Sequence, residues 1–145
     1  MSRPLTWGAR IVRTLGQILL VAAGSAIGGV ARYGVGVWFG RWFGGAFPWG
    51  TLFINVSGSL FLGWFMTTLG EKLALSETAW LQSDDLKLLV GVGFTGAYTT
   101  FSTFEYEASG LLRDGDTLTA AAYVALSVFL GFLAVRYGVY LGRVR

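Results

Sequence analysis

The sequence predicts an all-α membrane protein with four transmembrane helices, the third of them broken at mid-membrane. Three observations carry that reading. Hydrophobic residues make up 54% of the chain and charged ones only 13%, so few charges interrupt an apolar run. The charges gather between four tracts, Leu15–Phe39, Thr51–Leu69, Lys87–Leu112 and Leu118–Leu141, each near the roughly 20 residues with which a helix spans a bilayer core. The third tract holds Gly91, Gly93 and Gly96, followed by Thr99, Thr100, Ser102 and Thr103. In hydrocarbon an interrupted helix is tolerated only where its freed backbone groups are buried in protein or line a wet cavity. A glycine-rich interruption there points to ion handling.

With 145 residues and four spans, little chain is left for a soluble domain. Residues 1–145 read as one four-helix unit of the cell membrane. Arg3, Arg10 and Arg13 have the look of a signal-peptide start, but the tract behind them is too long and three more follow. There is no cysteine and no histidine, which removes thiol chemistry, disulfides, soft-metal sites and imidazole catalysis together. The net charge of +3 comes mainly from arginines at the span edges, a distribution that argues against nucleic acid as a partner. Arg3, Arg10, Arg13, Lys72, Lys87, Arg143 and Arg145 fall on one side, with Arg136 near it, while Arg41 and Arg113 fall on the other. That bias places both termini in the cytoplasm and turns Gly40–Gly50 and Arg113–Thr117 outward.

In the first span Gly24 and Gly28 have the small-xxx-small spacing that brings helix backbones close, either as a dimer seam or, the reading favoured, as packing within the chain. Arg32 follows in apolar surroundings. It either reaches the interface with its long stem or faces the interior, pairing with a carboxylate or drawing anions into a vestibule. Trp38, Trp42, Phe43, Phe47 and Trp49 form an interfacial aromatic belt, and Pro48 opens the second helix.

Along the second span Thr51, Asn55, Ser59, Gly63 and Thr67 recur every fourth residue and share one face. Such a stripe is either helix glue or the wall of a polar path. Asn55 fits glue poorly, because a primary amide has two donors and an acceptor to satisfy. The connector Gly70–Asp85, with Glu71, Lys72, Glu77, Asp84 and Asp85, reads as solvated. In the third span Thr99, Thr103 and Glu107 align beyond the break, with Phe101 and Phe104 on an adjoining face. Glu107 is either a functional carboxylate or a helix-end group in water, and Glu105 reads as a solvated edge carboxylate. The fourth span repeats a stripe with Thr119, Tyr123, Ser127 and Gly131.

An enzyme needs a nucleophile with a base, paired carboxylates or a metal cluster, and Ser102 has no histidine to activate it. A small multidrug exporter is similar in size, yet that family relies on a glutamate in its first helix, where this chain has Arg32 and no acid. A non-conducting assembly protein, its stripes serving only as glue, is a third reading. An anion path fits better. Asn55, Ser102, Thr103, Tyr123 and Ser127 supply donors, and ring edges of Phe101 and Phe104 carry positive quadrupole density. Weak donors in a narrow passage let an ion enter and leave. A break at Gly96–Thr99 would free carbonyls, hard oxygens suited to an alkali cation.

Three motifs now resemble the Fluc (CrcB-type) fluoride channels. They are Gly28-Gly29-Val30-Ala31-Arg32-Tyr33, Gly50-Thr51-Leu52-Phe53-Ile54-Asn55-Val56-Ser57-Gly58, and Gly93-Phe94-Thr95-Gly96-Ala97-Tyr98-Thr99-Thr100-Phe101-Ser102-Thr103-Phe104. The likeness covers all but the segment up to about Leu15 and the Gly70–Asp85 connector. It implies an antiparallel (dual-topology) dimer in lipid, with two fluoride pores and passive export that protects the cell. It also implies a structural sodium ion held by carbonyls of Gly96 and Thr99. By the same likeness Phe101 and Phe104 flank fluoride and Asn55 hydrogen-bonds it. Ser102, Thr103, Tyr123 and Ser127 form a polar track, Thr51 lies near a mouth, and Glu107 and Arg32 match an acid and an arginine of the family. Two departures stand out. The Lys/Arg bias favours one orientation, as in half of a heterodimer, and Glu105 replaces a small hydroxyl residue.

Overall fold

The computed structural model describes residues 7–72 and 83–144, which are helical almost throughout. Residues 73–82 of the expected connector, including Glu77, lie outside the described residues, as do Arg3 and Arg145. Helix α1 runs Trp7–Phe43 and α2 runs Trp49–Lys72. A short α3, Ser83–Leu86, leads into a π-helical segment, Lys87–Thr95, and a single turn, α4, Gly96–Tyr98. After two extended residues come α5, Phe101–Arg113, and α6, Thr117–Arg143.

Among the described residues three helices are long and apolar enough to cross a membrane, over Trp7–Phe43, Trp49–Gly70 and Thr117–Arg143. The expected third tract is two shorter helical stretches instead of one rod. Helix α1 begins a good two turns before Leu15. At about 1.5 Å per residue its 37 residues reach some 55 Å, well beyond a hydrocarbon core of about 30 Å. Trp7, Arg10 and Arg13, all exposed, continue the helix where water and headgroups tolerate charge.

Glycine governs the packing. A Cβ on Gly24 would strike the Leu89 carbonyl, one on Gly28 the Phe94 carbonyl, and one on Gly93 the Val21 carbonyl. The backbones of α1 and the π-helical segment therefore touch directly, which is the intrachain use expected of the Gly24–Gly28 pair. Helices α2 and α6 meet the same way: Gly63 lies against the Val135 carbonyl, Gly138 against Leu60 and Trp64, and Gly142 against Thr67. The lower half of the α2 stripe, Gly63 and Thr67, is thus helix contact. Close backbone approach is the usual source of association where lipid removes the hydrophobic drive between helices.

The connections carry ordinary turn chemistry. Gly44 and Gly115 adopt positive φ, at 66° and 83°, the left-handed region that a side chain disfavours. Asp116 caps α6 by accepting from the Thr119 amide at 3.2 Å. Around the first turn Phe47 and Trp49 lie 4.5 Å apart between ring centroids, and Phe39 and Phe43 5.2 Å. These rings belong to the expected aromatic belt. The outer faces of α1 and α6 expose Ile18, Leu19, Ile27, Val128, Phe129 and Phe132, a surface suited to hydrocarbon.

Gly138→Val is expected to cost about 1–3 kcal/mol through overpacking against α2, read as a lower thermal midpoint by circular dichroism in detergent. Gly16→Ala, whose Cβ meets open space, should leave that midpoint unchanged or slightly higher.

Candidate functional site

The site begins at the interruption between α4 and α5. Gly96 keeps helical dihedrals, φ −62° and ψ −35°, so the break is not at the glycine. It falls at Thr99, φ −80° and ψ 160°, and Thr100, φ −152° and ψ 118°. The sequence places Thr99 on one helix face with Thr103 and Glu107; the structure corrects this, because Thr99 lies in the extended pair. The cause is a competing set of bonds. The Thr100 N–H donates to Asn55 Oδ1 at 2.9 Å, and Asn55 Nδ2 donates to the Thr100 carbonyl at 3.1 Å. An N–H can only donate and a C=O only accept, so this pair also fixes which way the amide points. One N–H of Asn55 remains.

Thr100 also caps α5. Its Oγ1 accepts from the Thr103 amide at 3.2 Å and donates to Thr103 Oγ1 at 2.9 Å. Two helical bonds are thereby displaced. In a continuous helix the Gly96 carbonyl would accept from Thr100 and the Thr99 carbonyl from Thr103. Both donors are engaged elsewhere, and Phe101 and Ser102 open α5, so the carbonyls of Gly96, Ala97, Tyr98 and Thr99 are all without their helical partners. Among the described residues no three His, Cys, Asp or Glu side chains gather as metal ligands. Backbone oxygens are the hard donors available here.

One turn past Phe104, Glu107 is held by two hydroxyls. Thr51 Oγ1 donates to its Oε1 at 2.9 Å and Tyr123 Oη to its Oε2 at 2.7 Å. The carboxylate joins α5 to α2 and α6, and it faces the first turn of α2, where the helix dipole favours negative charge. Tyr123 is completely buried, its ring 5.2 Å from Phe104 and 5.4 Å from Phe47. Leu52, Phe104, Ala108 and Tyr123 form a small buried cluster around this point.

Cavities of about 360 Å³ flank that cluster. One is lined by Asn55, Gly96, Thr99, Thr100, Phe101, Phe104 and Ser127. The other opens among the first loop and the ends of α1, α2 and α5, with Thr51, Glu107 and Asp114 in its wall. Thr51 to Asn55 on α2, and Phe104 to Glu107 on α5, are each about one helical turn, near 5 Å. The cavities therefore follow one another along the same helices, with Phe104 in the wall of the first and Glu107 in the wall of the second. Ser127 Oγ is closed off from solvent and has no hydrogen-bond partner among the described residues, an open donor in the first cavity wall.

Not every expected site residue converges. Phe104 is 8% exposed but Phe101 is 70% exposed, so only one of the pair is enclosed within this chain, although both line the cavity. Ser102 and Thr103 lie on the exposed side of α5, as does Glu105. Arg32 is half-buried on α1, away from both cavity linings and without an ion pair among the described residues. Sequence reasoning missed Thr100, whose backbone and hydroxyl organise the break. The available signal was Thr100 and Thr103 at capping spacing, just ahead of an apolar turn.

The chain matches the family described as "CrcB-like protein, Camphor Resistance (CrcB)" over residues 19–139. Among curated proteins it is 46% identical to the fluoride-specific ion channel FluC of Nitrobacter winogradskyi, over 88% of this chain and 95% of that one. It is 43% identical to the protein of the same name from Chloroflexus aurantiacus, over 89% and 97% of the two chains. For that from Acidobacterium capsulatum the identity is 45%, over 87% and 95%.

Asn55→Leu removes both bonds to Thr100 and is expected to cost about 2–3 kcal/mol, since it strands a buried backbone N–H and C=O. Tyr123→Phe keeps the ring packing and leaves one Glu107 oxygen bare, at about 1 kcal/mol. Unfolding titrations in detergent should rank them in that order; equal midpoints for Asn55→Leu and the parent would contradict the double bond.

Proposed function

The chain belongs to the CrcB-like family, and from that premise we propose that it forms a fluoride-specific channel through which the ion leaves the cytoplasm passively. It is an integral protein of the cell membrane and not an enzyme. The observation that carries the proposal is the succession of two cavities along α2 and α5, the first walled by a buried phenylalanine and edged by unused donors. The names of the relatives supply the ion. The geometry supplies a reason for it.

Fluoride would enter through the cavity walled by Thr51 and Glu107, pass Phe104, and meet the remaining Asn55 N–H and the Ser127 hydroxyl. Ring edges of Phe104 and Phe101 give weak positive density, and neutral donors hold an anion without trapping it. Ser102, Thr103 and Tyr123 complete the polar track in this reading, and Arg32 raises the anion concentration at a mouth. Glu107 stays bound to its two hydroxyls, which blunts its repulsion of the anion. A bare carboxylate there would oppose entry.

A sodium ion fits the break as a structural partner. The Gly96 and Thr99 carbonyls have lost their helical donors, and such oxygens suit a hard cation. Two carbonyls are too few for a complete shell, so a second subunit would have to bring its own pair. The exposed polar face of α5 supports that assembly. Ser102, Thr103 and Glu105 would be costly against lipid and are covered if the third, broken crossing packs on a second subunit. An antiparallel homodimer is the reading taken, with a heterodimer as the variant that the Lys/Arg asymmetry favours.

Purified protein in liposomes under a fluoride gradient should release fluoride rapidly and chloride about a hundredfold more slowly or not at all. Phe104→Ile should slow fluoride release by about tenfold or more while the oligomer remains intact. Replacing sodium by N-methylglucamine on both sides should reduce release or loosen the oligomer. Equal passage of the two halides would overturn the selectivity, and unchanged release by Phe104→Ile would overturn the role of the ring.

A further inference from the structure

Three positions on one stretch of α2 each address one residue of the interruption. Asn55 bonds the Thr100 backbone. Ser57 Oγ lies 3.0 Å from the Tyr98 hydroxyl. Gly58 lets Thr99 lie against α2, since a Cβ there would strike Thr99 Cγ2 and crowd the Tyr98 ring. The extended pair Thr99–Thr100 is thus bracketed by side-chain bonds on both sides, with its middle pressed against a glycine.

The proton arrangement can be assigned. Ser57 Oγ is also 3.3 Å from the Ile54 carbonyl, which can only accept. With its one proton on Ile54, Ser57 accepts from Tyr98, giving a relay from Tyr98 through Ser57 to Ile54. The Tyr98 ring is stacked on Phe94, with centroids 5.8 Å apart and planes 5° apart. Phe94 in turn meets Phe61 edge-on at 5.7 Å. Stacking fixes the plane of the phenol and leaves its position within that plane to the hydroxyl contact. Tyr98 immediately precedes Thr99, so a slip of the ring would displace the Thr99 Cα, from which the peptide carrying the Thr99 carbonyl and the Asn55-bound Thr100 N–H extends.

We infer that Tyr98 and Ser57 are positioning residues: their hydrogen bond aims the Thr99 carbonyl and sets the shape of the cavity at Asn55 and Phe104. The inference rests on the channel reading for its functional consequence, though the staple itself is a property of the fold. Neither residue is among those assigned to the ion path.

The test uses the full-length protein, with Tyr98→Phe, Ser57→Ala, the double variant and Ser57→Thr. Amide hydrogen exchange of the 96–103 segment is measured beside fluoride release from liposomes. Loss of one neutral hydrogen bond should raise exchange at Thr99 and Thr100 by roughly five- to tenfold. Fluoride release should fall by a similar factor, and the sodium concentration for half-maximal release should rise. The double variant should be no worse than either single one, because both remove the same bond. Ser57→Thr, which keeps the hydroxyl, should recover the parent behaviour. Parent-like exchange in both Tyr98→Phe and Ser57→Ala overturns the inference whatever the flux, as do independent, multiplying effects. Faster exchange in a protein whose parent releases no fluoride supports the staple and removes the channel reading instead.

Discussion

Everything at the centre of this protein depends on one side chain that imitates a backbone. A helix that stops inside a low-dielectric environment strands donors and acceptors, and each bare group costs several kcal/mol there. Asn55 offers an amide with the same donor and acceptor as a peptide unit, and Thr100 takes both. The interruption is stable because the missing turn is replaced, one donor for one acceptor, by a residue 45 positions earlier in the chain. Thr100 then starts the next helix with its own hydroxyl. Without this substitution the run from Ser83 to Arg113 would have every reason to close into one rod.

The same economy of polar groups appears at Glu107. A lone carboxylate at this depth would be expelled or neutralised. Here each oxygen receives a hydroxyl from a different helix, so the charge is distributed over three elements that must move together. The buried ring of Tyr123 bonds this carboxylate and packs on Phe104, which ties the electrostatics of the mouth to the phenylalanine on the proposed path.

Much of this was legible in the sequence, and the failures have physical causes. The helical class and the spans around α1, α2 and α6 follow from apolar length, since runs of about 20 apolar residues cross hydrocarbon as helices. The residues Thr51, Asn55, Phe104, Tyr123 and Ser127 were identifiable as polar or aromatic groups in wrong surroundings, but their convergence was not, because hydrogen bonds between Thr51 and Glu107 span 56 positions. Of the expected break at Gly96–Thr99, only Thr99 is extended, and Thr100 joins it. Gly93, one of the three glycines read as an interruption, instead admits the Val21 carbonyl. Glycine in a membrane helix marks close approach as often as it marks a kink, and only the tertiary partner tells which.

The Asn55 clip has one further consequence. An amide with its oxygen and one hydrogen committed has a single hydrogen left to offer, and its orientation cannot flip without severing both bonds to Thr100. Such a group can greet one visitor at a time. In the reading taken here, traffic past this point is a queue, with occupancy set by the valence of one nitrogen rather than by the roominess of the space around it.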